Sequence, residues 1–478
     1  MQPALGHAIV VGGSMAGLVV ARTLKEHFAR VTVVERDHYP SEPTPRRGVP
    51  QSRHIHIVLT RGRQELERLF PDLGADLEKD GAITFDYGRG ATLFFRGGAL
   101  APFDSQLVVR ACTRPLLDHH IRRYLAASGV SFLEGRRVVG LTPSEDGGAV
   151  TGVLLQQDGG AGERLAGDLV VDACGRGSRA AAWLKELGFE APAETVIDSA
   201  LSYTCQLYTP RPDFSPSWNL LSTMPRAPHQ PRSGAIFRVE GNRWFVCFAT
   251  MGDDEPPGDE ASFRAFARTL PSPALFEALS QAEPVGPVNR SGSTENRLRH
   301  YERLSRFPGG FVLVGDSVCA LNPIYGQGIT SAALGALALG AELARHRRAR
   351  PGGDLRDFGR RFQKRLAKLN EETWRLAVGG DAAWPQTRGL DQAGILGKFL
   401  VGWPGSLFRS YGDLVVEAAA HQPDVARVMM EVMHMVRPSG AILTPGMMAR
   451  VLAHRFGAGH KLPPAVERSP ADPGAREA

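Results

Sequence analysis

The stretch His7 to Asp37, HAIVVGGSMAGLVVARTLKEHFARVTVVERD, decides how this chain folds. Ala8 to Val11 is an apolar run, too short for a helix and long enough for a buried strand. The turn Gly12, Gly13, Ser14, Met15, Ala16, Gly17 follows it, and Leu18, Ala21, Leu24 and Phe28 then recur at helical spacing. Val31 to Val34 reads as a second buried strand ending in Glu35, so the unit is βαβ. Gly12 permits a tight bend and Gly17 lets helix and strand pack closely. The helix N-terminus between them offers free N–H groups and a partial positive charge to a pyrophosphate. A carboxylate at Glu35 suits ribose hydroxyls and repels a 2′-phosphate, which points to an adenosine diphosphate lacking that phosphate, as in FAD or NAD. Ser14 stands where such turns usually carry a middle glycine; its hydroxyl can donate to a phosphate, while its Cβ narrows the approach.

The chain has 478 residues, long for a single core, so two or three structural units are expected. With 43% hydrophobic and 22% charged residues it has the composition of an ordinary globular enzyme, which excludes disordered and fibrous classes. The net charge of +6 is spread through the chain, in short clusters such as Arg46-Arg47 and without an aromatic-interleaved basic block, which argues against a nucleic-acid partner. The five cysteines, Cys112, Cys174, Cys205, Cys247 and Cys319, include no CxxC pair and read as buried free thiols. His54 and His56, two apart on one strand face, have metal-like spacing but no third ligand nearby, so polar packing and no metal is the expectation. Folding starts close to Met1, no run suits a transmembrane span, and a cytoplasmic location is expected.

Outward from the first unit, a Pro-rich loop from Tyr39 to Pro50 leads to a helix carrying Leu66, Leu69 and Phe70. An isolated extended feature lies at Ala91 to Phe95. A strand is expected over Leu107 to Arg110, a helix opening at Arg114-Pro115, strands at Val130–Leu133 and Arg137–Leu141, a hairpin centred on Asp146 to Gly148, and a strand from Asp168 to Asp172. Aromatic and β-branched strands, Thr204–Tyr208, Ala235–Val239 and Trp244–Ala249, with a short helix Ser262–Thr269, mark a change of character. Phe311 to Val314 resumes the first pattern and ends at Gly315-Asp316. Helical segments such as Phe358–Leu376 and Val415–Val436 follow. The expected organisation is a nucleotide-binding domain in two parts, 1–192 and 297–350, an inserted β-sheet substrate domain over 193–296, a helical region over 351–462 and a disordered tail over 463–478.

Three motifs stand in fixed order: the glycine turn with Glu35, Asp172-Ala-Cys-Gly-Arg-Gly-Ser178, and Gly315-Asp316 followed by Pro323 and Gly326-Gln-Gly328. Together they resemble the para-hydroxybenzoate-hydroxylase-like FAD-dependent monooxygenases. The Gly48-Val-Pro-Gln-Ser-Arg-His-Ile-His56 stretch, Ser178 to Leu184 and the Asn322-Pro-Ile-Tyr-Gly-Gln-Gly328 loop are similar to the polyene epoxidases of polyether antibiotic pathways such as those for monensin and lasalocid. The resemblance implies an α/β fold with a Rossmann-like FAD-binding domain, an inserted β-sheet substrate domain and a C-terminal helical region. It implies FAD contacts from Gly12, Gly13, Ser14, Met15, Ala16, Gly17, Glu35, Arg36, Arg47, Gln51, Arg114, Val138, Asp172, Asp316, Pro323, Gly326, Gly328 and Ile329. Within that set Asp316 would meet ribityl or ribose hydroxyls and Arg114 the phosphates or ribityl. Arg47 and Gln51 would come from a loop over the cofactor. For Asp172, cofactor contact and a turn-forming role are both open. Pro323, Gly326 and Gly328 would shape the ring site, with the helix from Ile329 aimed at the flavin edge where negative charge develops.

The resemblance further implies an oxidoreductase of secondary-metabolite biosynthesis that takes electrons from NAD(P)H as a transient reductant, or through a separate flavin reductase. It would deliver an oxygen atom of O2, through a flavin C4a-hydroperoxide, to an alkene of a small apolar organic substrate of polyketide or isoprenoid type. Alkene attack needs no substrate deprotonation, in keeping with the lack of a visible triad or carboxylate pair. Phe237, Trp244, Phe245 and Phe248 are candidates for the pocket wall, half of them facing away by strand alternation. The alternatives are an aromatic hydroxylase on a phenol or quinone-type ring, a flavin reductase of prenyl chains, and a flavin-free binding protein; no GWxWxIP-type stretch points to a halogenase.

Overall fold

In the computed structural model, which describes residues 5–95, 98–156, 162–350 and 353–457, the opening run is the central strand of a five-stranded parallel sheet. Strand Leu5–Val11 lies between Leu169–Asp172 and Phe28–Val34, with Phe311–Leu313 and Ser131–Leu133 at the two edges. Ala8, Ile9 and Val10 are fully buried because layers cover both faces, which is why these strands read as continuous apolar runs and not as alternating ones. Helix Met15–Leu24 follows the glycine turn. It ends before Phe28, which opens the next strand; the residue continues the buried spacing but belongs to the sheet. The Asp146–Gly148 turn joins the antiparallel strands Arg137–Pro143 and Val150–Gln156.

The aromatic block forms a seven-stranded sheet in the order Ala282–Ser291, Leu201–Pro210, Arg243–Met251, Ser233–Val239, Leu220–Thr223, Ala91–Phe95, Gly98–Ala99. The last two strands come from far earlier in the chain, and Ala91–Phe95 pairs in parallel with Leu220–Thr223. The extended feature at Ala91 is thus part of this sheet and not isolated, a long-range pairing that no local pattern announces. Leu220–Thr223 and Ala282–Ser291 carry too little alternation to be read as strands in advance. Where the chain enters and leaves the block, Glu194–Ile197 pairs antiparallel with Asn296–Arg299.

Phe237 and Phe245 pack on one face with Cys205 and Cys247, against Val415, Met429 and Met430 of the C-terminal helices. Trp244 and Phe248 pack on the other, against Phe263 and Phe266. The short helix is Glu260–Ala267, two residues earlier at each end than its apolar residues suggest, because Asp259 and Ser262 form a capping box. The strand before Arg114 is Val108–Ala111, and helix Arg114–Ala127 begins where the proline placed it. Of the C-terminal segments, Val415–Val436 is two helices, Trp403–Ala419 and Pro423–Met433. Pro423 opens the second, and Gln422 before it is extended. Four cysteines are buried and Cys174 is exposed, contrary to its expected burial, because it sits in the turn after Leu169–Asp172. The tail over 463–478 lies outside the described residues. No helix among the described residues is long and apolar enough to cross a membrane.

Candidate cofactor site

Gly12 adopts φ +97°, and a Cβ there would come within 2.8 Å of Ala173 O. A Cβ on Gly17 would collide with Gly12 O. The turn therefore holds helix Met15–Leu24 against its strand with Ser14 as an N-cap that makes no side-chain capping bond. Met15 itself is in the core, which leaves its backbone N–H for a ligand. Instead of capping, Ser14 Oγ accepts a hydrogen bond from Arg114 Nη2 at 3.0 Å, and Arg114 Nε donates to Asp118 at 2.6 Å. Arg114, on a separate helix and only 5% exposed, thus sits directly over the turn. Its helix is set by the inserted sheet: Glu240 accepts from Thr113 N at 2.9 Å and Thr113 Oγ1 at 2.6 Å.

Glu35 is buried at the mouth of the turn, where Oε2 accepts from Gly13 N at 2.9 Å and Oε1 from Asp37 N at 3.1 Å. The arginine that reaches it is Arg46, whose Nη1 lies 2.9 Å from Glu35 and whose Nη2 donates to Gly13 O at 2.6 Å. Arg47 and Gln51, expected to meet the cofactor from this loop, are exposed, as is Arg36. The loop turns Arg46 inward because Glu35 and Asp37 attract its charge and the Tyr39 ring carries it at 4.6 Å. With Arg46 balancing Glu35, charge alone rejects a 2′-phosphate less firmly than Glu35 by itself does. Val138 is buried beside this end, since Arg136 N donates to Glu35 O at 3.1 Å. A shallow cleft borders Arg46, lined by Tyr39, Pro43, Pro115, Asp118 and Arg122 among others.

The middle and third motifs meet the first at the sheet's C-terminal edge, the place where open α/β sheets bind ligands. Asp172 is fully buried and its carboxylate accepts from Cys174 N at 2.8 Å, Ser317 Oγ at 2.8 Å and Ser178 Oγ at 2.7 Å. These bonds make it a staple between two loops. Gly175 N donates to Ser317 Oγ at 2.9 Å, and a Cβ on Gly315 would lie 2.9 Å from Ala16 Cβ. Asp316, beside these contacts, is half-buried with no hydrogen-bond partner among the described residues. Burial raises its carboxyl above the ordinary range, against the pull of Arg176, Arg114 and Arg299. Arg176, which sequence reasoning did not assign, ties the loops by donating to Glu295 O at 2.7 Å and Leu321 O at 2.8 Å.

Beyond Asp316 the chain forms the single turn Pro323–Tyr325, then Gly326 at φ +66°, a conformation that a side chain would strain. A Cβ on Gly326 would be 3.8 Å from Ile57 O and from Leu59 Cδ2, so this loop faces the Gly48-to-His56 stretch and its continuation. Helix Gly328–Ala349 starts here with no side-chain cap and no acid in its first turn. Gln327 Oε1 and Ser331 Oγ are buried with no hydrogen-bond partner among the described residues. Pro323 and Gly328 are exposed and Ile329 is buried. His54 packs edge-on against Tyr203, with ring centroids 4.9 Å apart. Burial and then the charge of Arg114 push His56 down to about 3, so its imidazole is neutral.

Two uncapped helix N-termini, a glycine cradle, the free carboxyl of Asp316 and the orphaned polar atoms at Gln327 and Ser331 line one course from Glu35 to Gly326. That donor set fits an elongated dinucleotide with a phosphate pair in the middle and a redox ring at the far end.

Residues 7–357 match the FAD binding domain family. The chain is similar to protein Rv3254 of Mycobacterium tuberculosis, with 33% identity over 393 residues covering 79% of this chain and 80% of the relative. Among solved structures it is similar to p-nitrophenol 4-monooxygenase PnpA from Pseudomonas putida, with 16% identity, TM-score 0.60 and coverage of 92% and 100% of the two chains. It is likewise similar to the flavin-dependent brominase Bmp2, with 16% identity, TM-score 0.59 and coverage of 90% and 98%. At such identity the last two likenesses speak for the fold alone.

Proposed function

This chain belongs to the FAD binding domain family, and from that premise we propose that it is an FAD-dependent monooxygenase that epoxidises alkenes of an apolar natural-product substrate. The observation that carries the reading is the inner face of the inserted sheet. Phe237, Phe245, Leu207 and Tyr203 of that face pack with Ile55 and Ile57, the stretch that faces the Gly326 loop. An apolar wall suits an alkene chain, and a phenol would need a base beside it. His56, which feels the charge of Arg114, is a poor proton acceptor because burial and that arginine hold it at about 3.

The chemistry that FAD supplies when bound is transfer of one atom of O2 to a double bond at the expense of NAD(P)H, the other atom leaving as water. The chain's own residues do the rest. Arg46, Arg114 and the N-terminus of helix Met15–Leu24 would hold the diphosphate, Glu35 a ribose, and Asp316 a ribityl or ribose hydroxyl. The uncapped N-terminus of helix Gly328–Ala349 would stabilise negative charge at the ring without a cation. The C-terminal helices that cover Phe237 and Phe245 would keep water out.

The test is turnover of the purified protein with an apolar polyene and, separately, with a phenol, following NAD(P)H consumption and product mass. Oxygen-dependent gain of one oxygen atom by the polyene is expected. Coupled phenol hydroxylation would favour an aromatic hydroxylase, turnover without O2 a reductase of prenyl chains, and a colourless preparation that takes up no FAD a flavin-free binding protein.

A further inference from the structure

Helix Phe358–Asp381 lies beyond the residues matched by the family, and its last residue is a carboxylate with no exposed surface. Both facts are unfavourable for an acid. The C-terminal end of a helix carries partial negative charge, and burial strips the carboxylate of water. Such a residue needs strong partners, and they come from the ring loop. Asp381 accepts from Asn322 Nδ2 at 3.0 and 3.2 Å, from Tyr325 OH at 2.8 Å and from Asn296 Nδ2 at 2.6 Å. Ser199, which accepts from Asn322 Nδ2 at 3.2 Å, has its hydroxyl left to donate to the same carboxylate. Its hydrogen-bond partners among the described residues are all donors, which offsets part of the cost of burying the carboxylate.

Asn322 passes the restraint along the loop. Its N–H donates to Asn296 Oδ1 at 2.7 Å and its Oδ1 accepts from Ile324 N at 3.1 Å, closing the turn that ends at Gly326. The helix is also shaped for the contact, because a Cβ on Gly380 would collide with the Tyr325 hydroxyl. The titratable groups that face Asp381 are Tyr325, held protonated by burial and by Asp381 itself, and Asp198, whose charge opposes ionisation.

We propose that Asp381 is a positioning residue that holds the Asn322–Gly326 loop in the form that receives the isoalloxazine ring, so that the ring end of the FAD site is completed from outside the family's own domain. The proposal rests on the reading that FAD binds along the Glu35-to-Gly326 course. It separates the two ends of that course, since the adenosine end has no contact with Asp381.

The experiment measures dissociation constants of FAD and of ADP for wild type, Asp381→Ala and Asp381→Asn, together with the visible spectrum of the bound flavin. Expected for Asp381→Ala are FAD binding weaker by about tenfold or more, ADP binding unchanged within about twofold, and altered vibronic structure of the flavin band. Asp381→Asn, which sets an amide N–H against surrounding donors, should fall on the same side. Leu275→Ala, at a fully buried position of helix Ala274–Leu279 on the other face of the inserted sheet, should lower the melting temperature without moving the FAD-to-ADP ratio or the spectrum. If Asp381→Ala does not fold, Tyr325→Phe takes its place under the same criteria. Equal loss of FAD and ADP, or no change in either, overturns the proposal. A wild-type protein that binds ADP but not FAD overturns the reading beneath it as well.

Discussion

Replacing Arg46 by alanine tests the adenosine end, with Arg47→Ala beside it as the matched control. The Arg46 side chain is 9% exposed and that of its partner Glu35 is 7% exposed, so their ion pair is buried. Removing one partner of such a pair costs roughly 3–5 kcal/mol, because the other charge is left uncompensated. Glu35 keeps the N–H groups of Gly13 and Asp37, which reduces the loss, and the Tyr39 stack adds a little to it. A net destabilisation of about 3 kcal/mol follows, which at ~2 °C per kcal/mol lowers the melting temperature by about 6 °C. Arg47 is exposed with no hydrogen bond or ion pair among the described residues, and its loss should stay within about 0.5 kcal/mol. Thermal melts of both variants, and of Glu35→Ala alone and combined with Arg46→Ala, give the coupling energy directly; more than about 1 kcal/mol is expected for groups in contact. ADP and FAD affinities should fall together in Arg46→Ala, unlike the split expected at Asp381. Equal behaviour of the Arg46 and Arg47 variants, or additivity of the Glu35 and Arg46 changes, would refute this account of the turn.

Glu240→Ala should cost about 2 kcal/mol, because it strands the buried Thr113 N–H and hydroxyl that set the Arg114 helix; Glu240→Gln keeps an acceptor and should cost less than half of that in the same melt. A pH series on wild type and Asp381→Asn probes the buried carboxyl. Burial raises Asp381 from 3.8 to about 6 against the pull of its donors, so its protonated form is favoured in the folded state. Its contribution is fully present below about pH 4 and is lost as the pH rises through about 6. Across that window wild type should lose about 3 kcal/mol relative to the asparagine variant, whatever their offset; parallel stability curves would contradict the assignment.

The nucleotide unit is legible in the sequence because its physics is local. Strand, turn, helix and Glu35 occupy one continuous stretch, and the backbone contacts that shape the turn lie within it or in the parallel neighbour. Choosing Arg46 over Arg47 depends instead on Tyr39 and Asp37 turning one of two adjacent side chains inward, a geometry with no periodicity to read. Asp172 is visible as a carboxylate ending a strand, yet its role is fixed by Ser317, which the fold brings from far along the chain. The same is true of Ala91–Phe95, whose partner strand follows much later. Asp381 sits in an ordinary amphipathic helix, and only its lack of exposure marks it. Pro423 is different: the break in Val415–Val436 is written in the Gln422-Pro423 pair, and continuous apolar spacing on both sides conceals it.

The antiparallel pairing of Glu194–Ile197 with Asn296–Arg299, reinforced by Glu194 to Arg299 at 2.8 Å and to Arg297 at 2.7 Å, makes the intervening hundred or so residues a cassette with adjacent ends. On the proposed function, exchange of such a cassette between relatives would alter which molecule is oxidised while the FAD-binding part stays as it is. The swap has one condition. Ala91–Phe95 and Gly98–Ala99 have to travel with it, or the bare rim of Leu220–Thr223 becomes an aggregation seam.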